Sequence, residues 1–344
     1  MIHLVTEDTR LTPSFTHRQR LEACLSGAVL DRPPVALWRH FPVDDQSADS
    51  LAAATLDFQR AYDFDLVKVT PASSFCLKDW GADDEWRGAS EGTRDYTRRV
   101  IFSPEDWARL PVLDPTAGRL GEQLDCLRRL IKALDPATPV VQTIFSPLAQ
   151  AKNLVGREEL LVHLRRYPDA LRAGLEIITE TTRRFVEAAR QTGIAGVFYA
   201  VQHAQYGLLS EAEYLSFAKP YDLEALAPAR SLWLNILHLH GENIFFDLFT
   251  DYPVAVINWH DRDTSPTLSE AQCKFGGVVC GGLQRQRSMV LGTPASVTAE
   301  AHDALRATRA RRFILGTGCV LPIIAPRANI LAARRSVETM PPCE

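Results

Sequence analysis

The segment His238-Leu239-His240-Gly241-Glu242-Asn243 sets two imidazoles two residues apart at the end of a short apolar run. Side chains alternate with period two along a strand, so both rings point to the same side and can offer two nitrogens to one cation. A third donor stands at Cys319, in Gly316-Thr317-Gly318-Cys319, where glycines let the backbone come close to a ligand. Two His and one Cys leave a fourth position open on Zn²⁺, the donor set of a catalytic zinc centre. His238, His240 and Cys319 are therefore the expected metal ligands. A hydrogen-bonded histidine pair beside a buried cysteine is the metal-free alternative. His203 and His260 are the expected acid–base residues, because imidazole titrates near neutral pH; the segments around them can also supply a fourth ligand or a supporting hydrogen bond. Arg39 is expected in a catalytic and substrate-binding role, its guanidinium fork suiting a carboxylate. His40, Gln202, Tyr206 and Asn243 complete the expected substrate contacts.

These residues need a scaffold that gathers them. Eight short apolar runs alternate with longer amphipathic stretches: Val35–Trp38, Leu66–Thr70, Val140–Ile144, Gly196–Ala200, Trp233–Leu237, Val254–Trp259, Gly277–Cys280 and Arg312–Leu315. Runs of this length suit strands buried on both faces. Helical spacing marks Asp49–Tyr62 and Pro168–Gln191, Ser210 with Glu213 has the form of a capping box, and Thr293-Pro294 opens a helix over Ala295–Thr308. Strand–helix alternation implies right-handed crossovers and a parallel sheet. The expected fold is α/β, a (β/α)₈ TIM barrel, with a long insertion after the second strand at about residues 71–115. The insertion carries Trp80, Trp86 and Trp107, which argue that it is folded, with Tyr96 and Val100 as a candidate hairpin pair. The first strand is followed by Arg39-His40-Phe41-Pro42 rather than a glycine-rich turn, which disfavours a dinucleotide-binding open sheet. In such a barrel, chemistry sits in the loops after the strands. Five of the nine His (40, 203, 238, 240 and 260) fall there.

Composition narrows the functional classes. The 344 residues are 46% hydrophobic and 23% charged, as in an ordinary globular chain, and are expected to form a single domain after a leader at 1–15. A net charge of −4 gives no basic field for nucleic acid. No run is long enough for a membrane span and the start lacks an apolar targeting segment, so a cytoplasmic location is expected. Seven scattered Cys, Cys343 among them, do not form the framework of a small secreted domain.

Several stretches resemble the uroporphyrinogen decarboxylase superfamily. They are RQRLEACLSGAVLDRPPV from Arg18 to Val35, Ser146-Pro147-Leu148, LSEAEYLSFAKPY from Leu209 to Tyr221, Gly281-Gly282-Leu283, Leu291-Gly292-Thr293-Pro294 and FILGTGCVLP from Phe313 to Pro322. The resemblance spans about residues 15–338 and implies a (β/α)₈ barrel. True porphyrinogen decarboxylases of that superfamily carry an Arg-rich first loop, an Asp after the second strand and a His after the last. Here those places hold the single Arg39, Val69-Thr70-Pro71 and Thr317. The other branch comprises zinc-dependent methyltransferases that work with corrinoid proteins and thiols such as coenzyme M. Its motif resembles His-x-Cys-Gly followed by a distant Gly-Cys. His238 and Cys319 match, and His240 replaces the middle Cys, which makes the ion harder and more electrophilic. The resemblance implies a zinc-dependent methyltransferase acting on a small molecule with a thiol or other heteroatom nucleophile. It also implies a corrinoid protein as methyl donor and allows a homodimer. The alternatives are a metal-free decarboxylase of a polycarboxylate or porphyrinogen and a non-catalytic ligand-binding barrel.

Overall fold

A computed structural model describes residues 15–338. Most of the proposed leader, and Cys343, lie outside the described residues. Among the described residues nine strands follow in chain order: β1 Val67–Val69, β2 Asp83–Glu85, β3 Asp95–Arg98, β4 Val140–Phe145, β5 Gly196–Val201, β6 Ile236–Leu239, β7 Val256–Trp259, β8 Val278–Leu283 and β9 Phe313–Thr317. Seven of them form one parallel sheet in the order β1-β4-β5-β6-β7-β8-β9. Every residue of these seven is buried, as in a sheet covered on both faces. Eleven α-helices among the described residues accompany the sheet. The longest, Pro168–Arg190, turns Leu171, Leu175, Ile178, Phe185 and Val186 inward at helical spacing. Ser210 and Glu213 form a reciprocal capping box on the helix Glu211–Phe217, and Thr293 caps Pro294–Ala307.

The expected first strand, Val35–Trp38, is a seam instead. Pro33 and Pro34 have no N–H to donate, so a regular ladder cannot start there. Val35 makes a single parallel bridge to Leu315. Ala36 N–H donates to Leu315 O and Leu315 N–H donates to Pro34 O, both at 2.9 Å. On the other side, Asp65 N–H donates to Val35 O at 2.9 Å, while the Asp65 carboxylate accepts Val35 N–H at 2.7 Å. The segment thus joins β9 to the approach of β1 and curls the sheet in the manner of a TIM-like barrel, with seven strands rather than eight. Asp65 is fully buried and meets Arg20 Nη1 at 2.6 Å, Arg32 Nη1 at 2.7 Å and His17 Nδ1 at 3.0 Å. Burial would push its carboxyl up, but His17 and the two guanidiniums reverse that and hold it far below the usual carboxylate range.

Two further boundaries differ from the sequence reading. The run expected at Trp233–Leu237 pairs over Ile236–Leu239, so His238 belongs to β6 itself. Between β1 and β4, β2 and β3 pair antiparallel with Asp84 opposite Tyr96, and Val100 lies outside the ladder. Trp107 is fully buried and its Nε1–H donates to His163 Nδ1 at 2.9 Å, fastening this segment to the helix Arg157–Arg166. The Trp80 Nε1–H donates to Pro111 O at 2.8 Å.

Candidate metal centre

Strand β6 delivers His238, and His240 follows its last residue. In the parallel register His238 lies beside Asn258 of β7, so His260, two residues on, comes level with His240. The shared parity turns all four side chains the same way. Cys319 arrives from the segment after β9, two strands beyond β7 and three beyond β6 in the sheet. Its approach depends on Gly318, where a Cβ would stand 2.6 Å from both Trp259 O and the His260 Cα. Gly241 has φ +103, a conformation that suits glycine, and turns the chain sharply after His240.

His238, His240, His260 and Cys319 each offer one donor atom, and these atoms all lie within 4.8 Å of one another. The His238 and His260 rings stack at 5.9 Å, and the His240 ring meets His260 edge-on at 5.0 Å. The Cys319 thiol lies 3.6 Å from His240 Nδ1. Asn258 Oδ1 lies 2.7 Å from His238 Nδ1, where it accepts the ring proton and leaves Nε2 as the free lone pair. His238 Nε2 and His260 Nε2 are buried with no hydrogen-bond partner. Buried nitrogens without partners are costly unless something else completes them. Sulfur and imidazole donors gathered at this spacing therefore fit a zinc-like cation. Burial would push the Cys319 thiol up, but the three imidazoles beside it, His238 first, hold it well below the ordinary thiol value. A thiolate in that setting is a metal ligand.

A cavity of about 270 Å³ opens from this cluster. Its walls include Trp38, His40, Phe145, Phe198 and Cys319. Phe198 stacks on His238 with ring centroids 5.4 Å apart. Lys68 is a cavity residue that the sequence reading missed. It is buried in β1, its Nζ lies 4.5 Å from the Phe198 ring centroid, and it donates to Thr70 Oγ1 at 3.1 Å. Burial lowers its amine to about 7. The signal was a lysine in the middle of the otherwise apolar run Leu66–Thr70.

The remaining site candidates are divided. His40 lines the cavity, its Nδ1 is buried without a partner, and burial together with Lys68 lowers it to about 4. Gln202 lines the cavity and accepts from Lys152 Nζ at 2.9 Å. His203 lines a neighbouring groove, with Nδ1 buried and unpartnered, and burial followed by Lys152 and Arg157 lowers it to about 3. Arg39 does not line the cavity. Its guanidinium packs over Phe41 and Phe58 and donates to Ile323 O at 3.3 Å. Tyr206 is exposed and its hydroxyl donates to Glu211, while Asn243 is exposed and donates its N–H to Thr264 Oγ1 at 2.9 Å. The Asp261 carboxylate accepts Gly282 N–H at 3.0 Å.

Comparison with known proteins shows the family and the fold. The family model for uroporphyrinogen decarboxylase (URO-D) matches residues 16–340. No curated protein sequence matches the chain. Among solved structures, a methyltransferase from Methanosarcina mazei superposes with a TM-score of 0.83 at 18% identity, covering 94% of this chain and 98% of its own. A B12-independent methionine synthase from Shewanella sp. W3-18-1, in complex with selenomethionine, gives a TM-score of 0.56 at 13% identity over 89% of this chain and 92% of its own. A putative vitamin-B12 independent methionine synthase from Listeria monocytogenes gives 0.53 at 11% identity over 89% and 95%. At these identities the likeness is one of fold. No described helix is long and apolar enough to cross a membrane.

Proposed function

The chain belongs to the uroporphyrinogen decarboxylase family, and from that premise we propose that it is a zinc-dependent methyltransferase of the family's corrinoid-linked branch. The observation that carries the reading is the convergence of His238, His240, His260 and Cys319 with two buried, unpartnered nitrogens. His238, His240 and Cys319, which line the cavity, would hold the ion, with His260 beside them. Zinc held there would supply Lewis acidity, lowering the pKa of a thiol or other heteroatom nucleophile. The protein's own groups do the rest. Asn258 fixes the ring of His238 in the tautomer that presents Nε2. His260 Nε2 accepts the proton that the nucleophile gives up. Trp38, Phe145 and Phe198 supply apolar wall to the cavity. The methyl donor is a methylated corrinoid on a partner protein that docks over the open end of the cavity.

Elemental analysis of purified protein tests this reading directly. About one equivalent of zinc is expected, and Cys319→Ala is expected to lose both the metal and methyl transfer to a thiol. Metal-free wild-type protein with unimpaired turnover in the Cys319 variant overturns it. One observation favours a second reading: Lys68 lies in the cavity with no carboxylate partner, which suits a metal-free decarboxylase acting on a carboxylate substrate. That reading requires release of CO₂ that chelators leave untouched.

A further inference from the structure

Beside the cavity lies an open groove of about 530 Å³. The two share Lys152, Asn153, Gln202 and His240, so the groove leads to the histidine–cysteine cluster. Three cations line it: Arg99, Lys152 and Arg157. Arg99 donates to Asn153 O at 3.0 Å and Lys152 to Gln202 Oε1 at 2.9 Å, both neutral acceptors. Other arginines of this chain do meet carboxylates, as Arg165 does Glu213 at 2.8 Å and Arg262 does Asp303 at 2.9 Å. In the groove the acidic lining residue is the exposed Glu242. Burial and the nearby Arg157 and Arg99 lower the Lys152 amine to about 8, the cost of crowding like charges without a counter-ion. His203 adds an independent sign. It is 3% exposed, lines the groove, and its Nδ1 is buried with no partner.

We propose that this groove is the binding subsite for the acidic end of the substrate, a small molecule carrying a carboxylate, phosphate or sulfonate. Arg157 and Arg99 meet the anion as forked donors and Lys152 as a point charge. His203 supplies or accepts one hydrogen bond as a neutral imidazole. The anion then anchors the substrate while its nucleophilic atom reaches past Gln202 and His240 toward the cluster. The assignment of that cluster as the reacting centre rests on the function proposed above; the charge pattern of the groove does not.

The test is calorimetric titration of purified full-length protein with inorganic phosphate and with malonate, with bound zinc measured on the same samples. Saturable binding is expected, weakened about tenfold or more by Arg157→Gln and by Lys152→Met, and unchanged by Arg109→Gln, which pairs with Asp106 and does not line the groove. Arg157 is exposed, so its variant folds even if Lys152→Met does not. Absence of saturable binding, or equal binding in Arg157→Gln and wild type, overturns the subsite. Stronger binding of phosphate than malonate selects a phosphate- or sulfonate-like group over a carboxylate. Wild-type protein that lacks zinc yet binds the anion through Arg157 refutes the metal reading and leaves the subsite standing.

Discussion

Asn258 offers the sharpest probe of the proposed centre, because one fully buried amide makes three hydrogen bonds there. Its Oδ1 lies 2.7 Å from His238 Nδ1, and its Nδ2 donates to Cys280 O at 2.9 Å and to Thr317 O at 3.0 Å. It thus orients one proposed ligand and ties down the strand that leads to another. Asn258→Ala leaves the His238 Nδ1–H without an acceptor, at a cost of about 1–3 kcal/mol, and forfeits two further bonds worth about 1 kcal/mol each. A stability loss of about 3–5 kcal/mol follows. Loss of such a supporting partner weakens a metal site by about 10–100-fold. Asn258→Asp keeps an acceptor for His238 but has no donor for the two carbonyls. It should lose comparable stability while retaining metal affinity to within a few-fold. Competition titration against a chromophoric zinc chelator, beside thermal unfolding of the metal-free proteins, separates the two effects. A folded Asn258→Ala protein that binds zinc as tightly as wild type would falsify the orienting role.

Other outcomes can be checked with the same methods. Lys68 has a folded pKa of about 7, below its unfolded value, so protonation of the unfolded chain erodes stability as pH falls from about 10 to 7. Lys68→Met should therefore raise the melting temperature, by more at pH 6 than at pH 10; an equal gain at both pH values would contradict the burial argument. Asp65 has a depressed folded pKa, so its contribution is complete above about pH 4 and is lost as pH falls toward the folded value. Asp65→Asn takes the carboxylate from Arg32 and leaves Arg20 with Asp31 alone, and should cost about 3–5 kcal/mol at pH 7, a gap that narrows in acid. Denaturant titrations at pH 7 and 3 measure it, and a constant gap would count against the ion network. Gly318→Ala forces a Cβ against Trp259 O and should cost about 1–3 kcal/mol together with most of the bound zinc. A crystal structure of that variant with the Cys319 segment unmoved would rule this out.

Much of the site was legible because period-two alternation and strand ends are local features of a sequence. His238 and His240 could be assigned to one side, and His260 to a strand end, without knowing the sheet order. That His260 comes level with His240 depends on the parallel register of β6 and β7, which no local pattern encodes. Cys319 stood out through its glycines and the family resemblance. Lys68 was hidden because a lone lysine in a short apolar run reads as a strand edge until the strand is seen buried. Arg39 fits carboxylate chemistry by type, but Phe41 and Phe58 offer it a cation–π seat away from the cavity. The first stave was misread for a related reason. Its apolar character was plain, but the two prolines before it and the Asp65 carboxylate replace ladder bonds that residue type alone suggests.

The seam also fixes when the centre can exist. It brings Val35 against Leu315, so the beginning of the chain meets its end, and that contact spans nearly the whole sequence. Pairings of such separation are slow to form because loop closure must precede them. Cys319 lies four residues beyond Leu315 in the same connected stretch. During synthesis, His238, His240 and His260 emerge well before it. A nascent or C-terminally truncated chain therefore holds three imidazoles but no thiolate and no closed wall. In the proposed centre the thiolate thus arrives together with the Val35–Leu315 contact, after all three imidazoles.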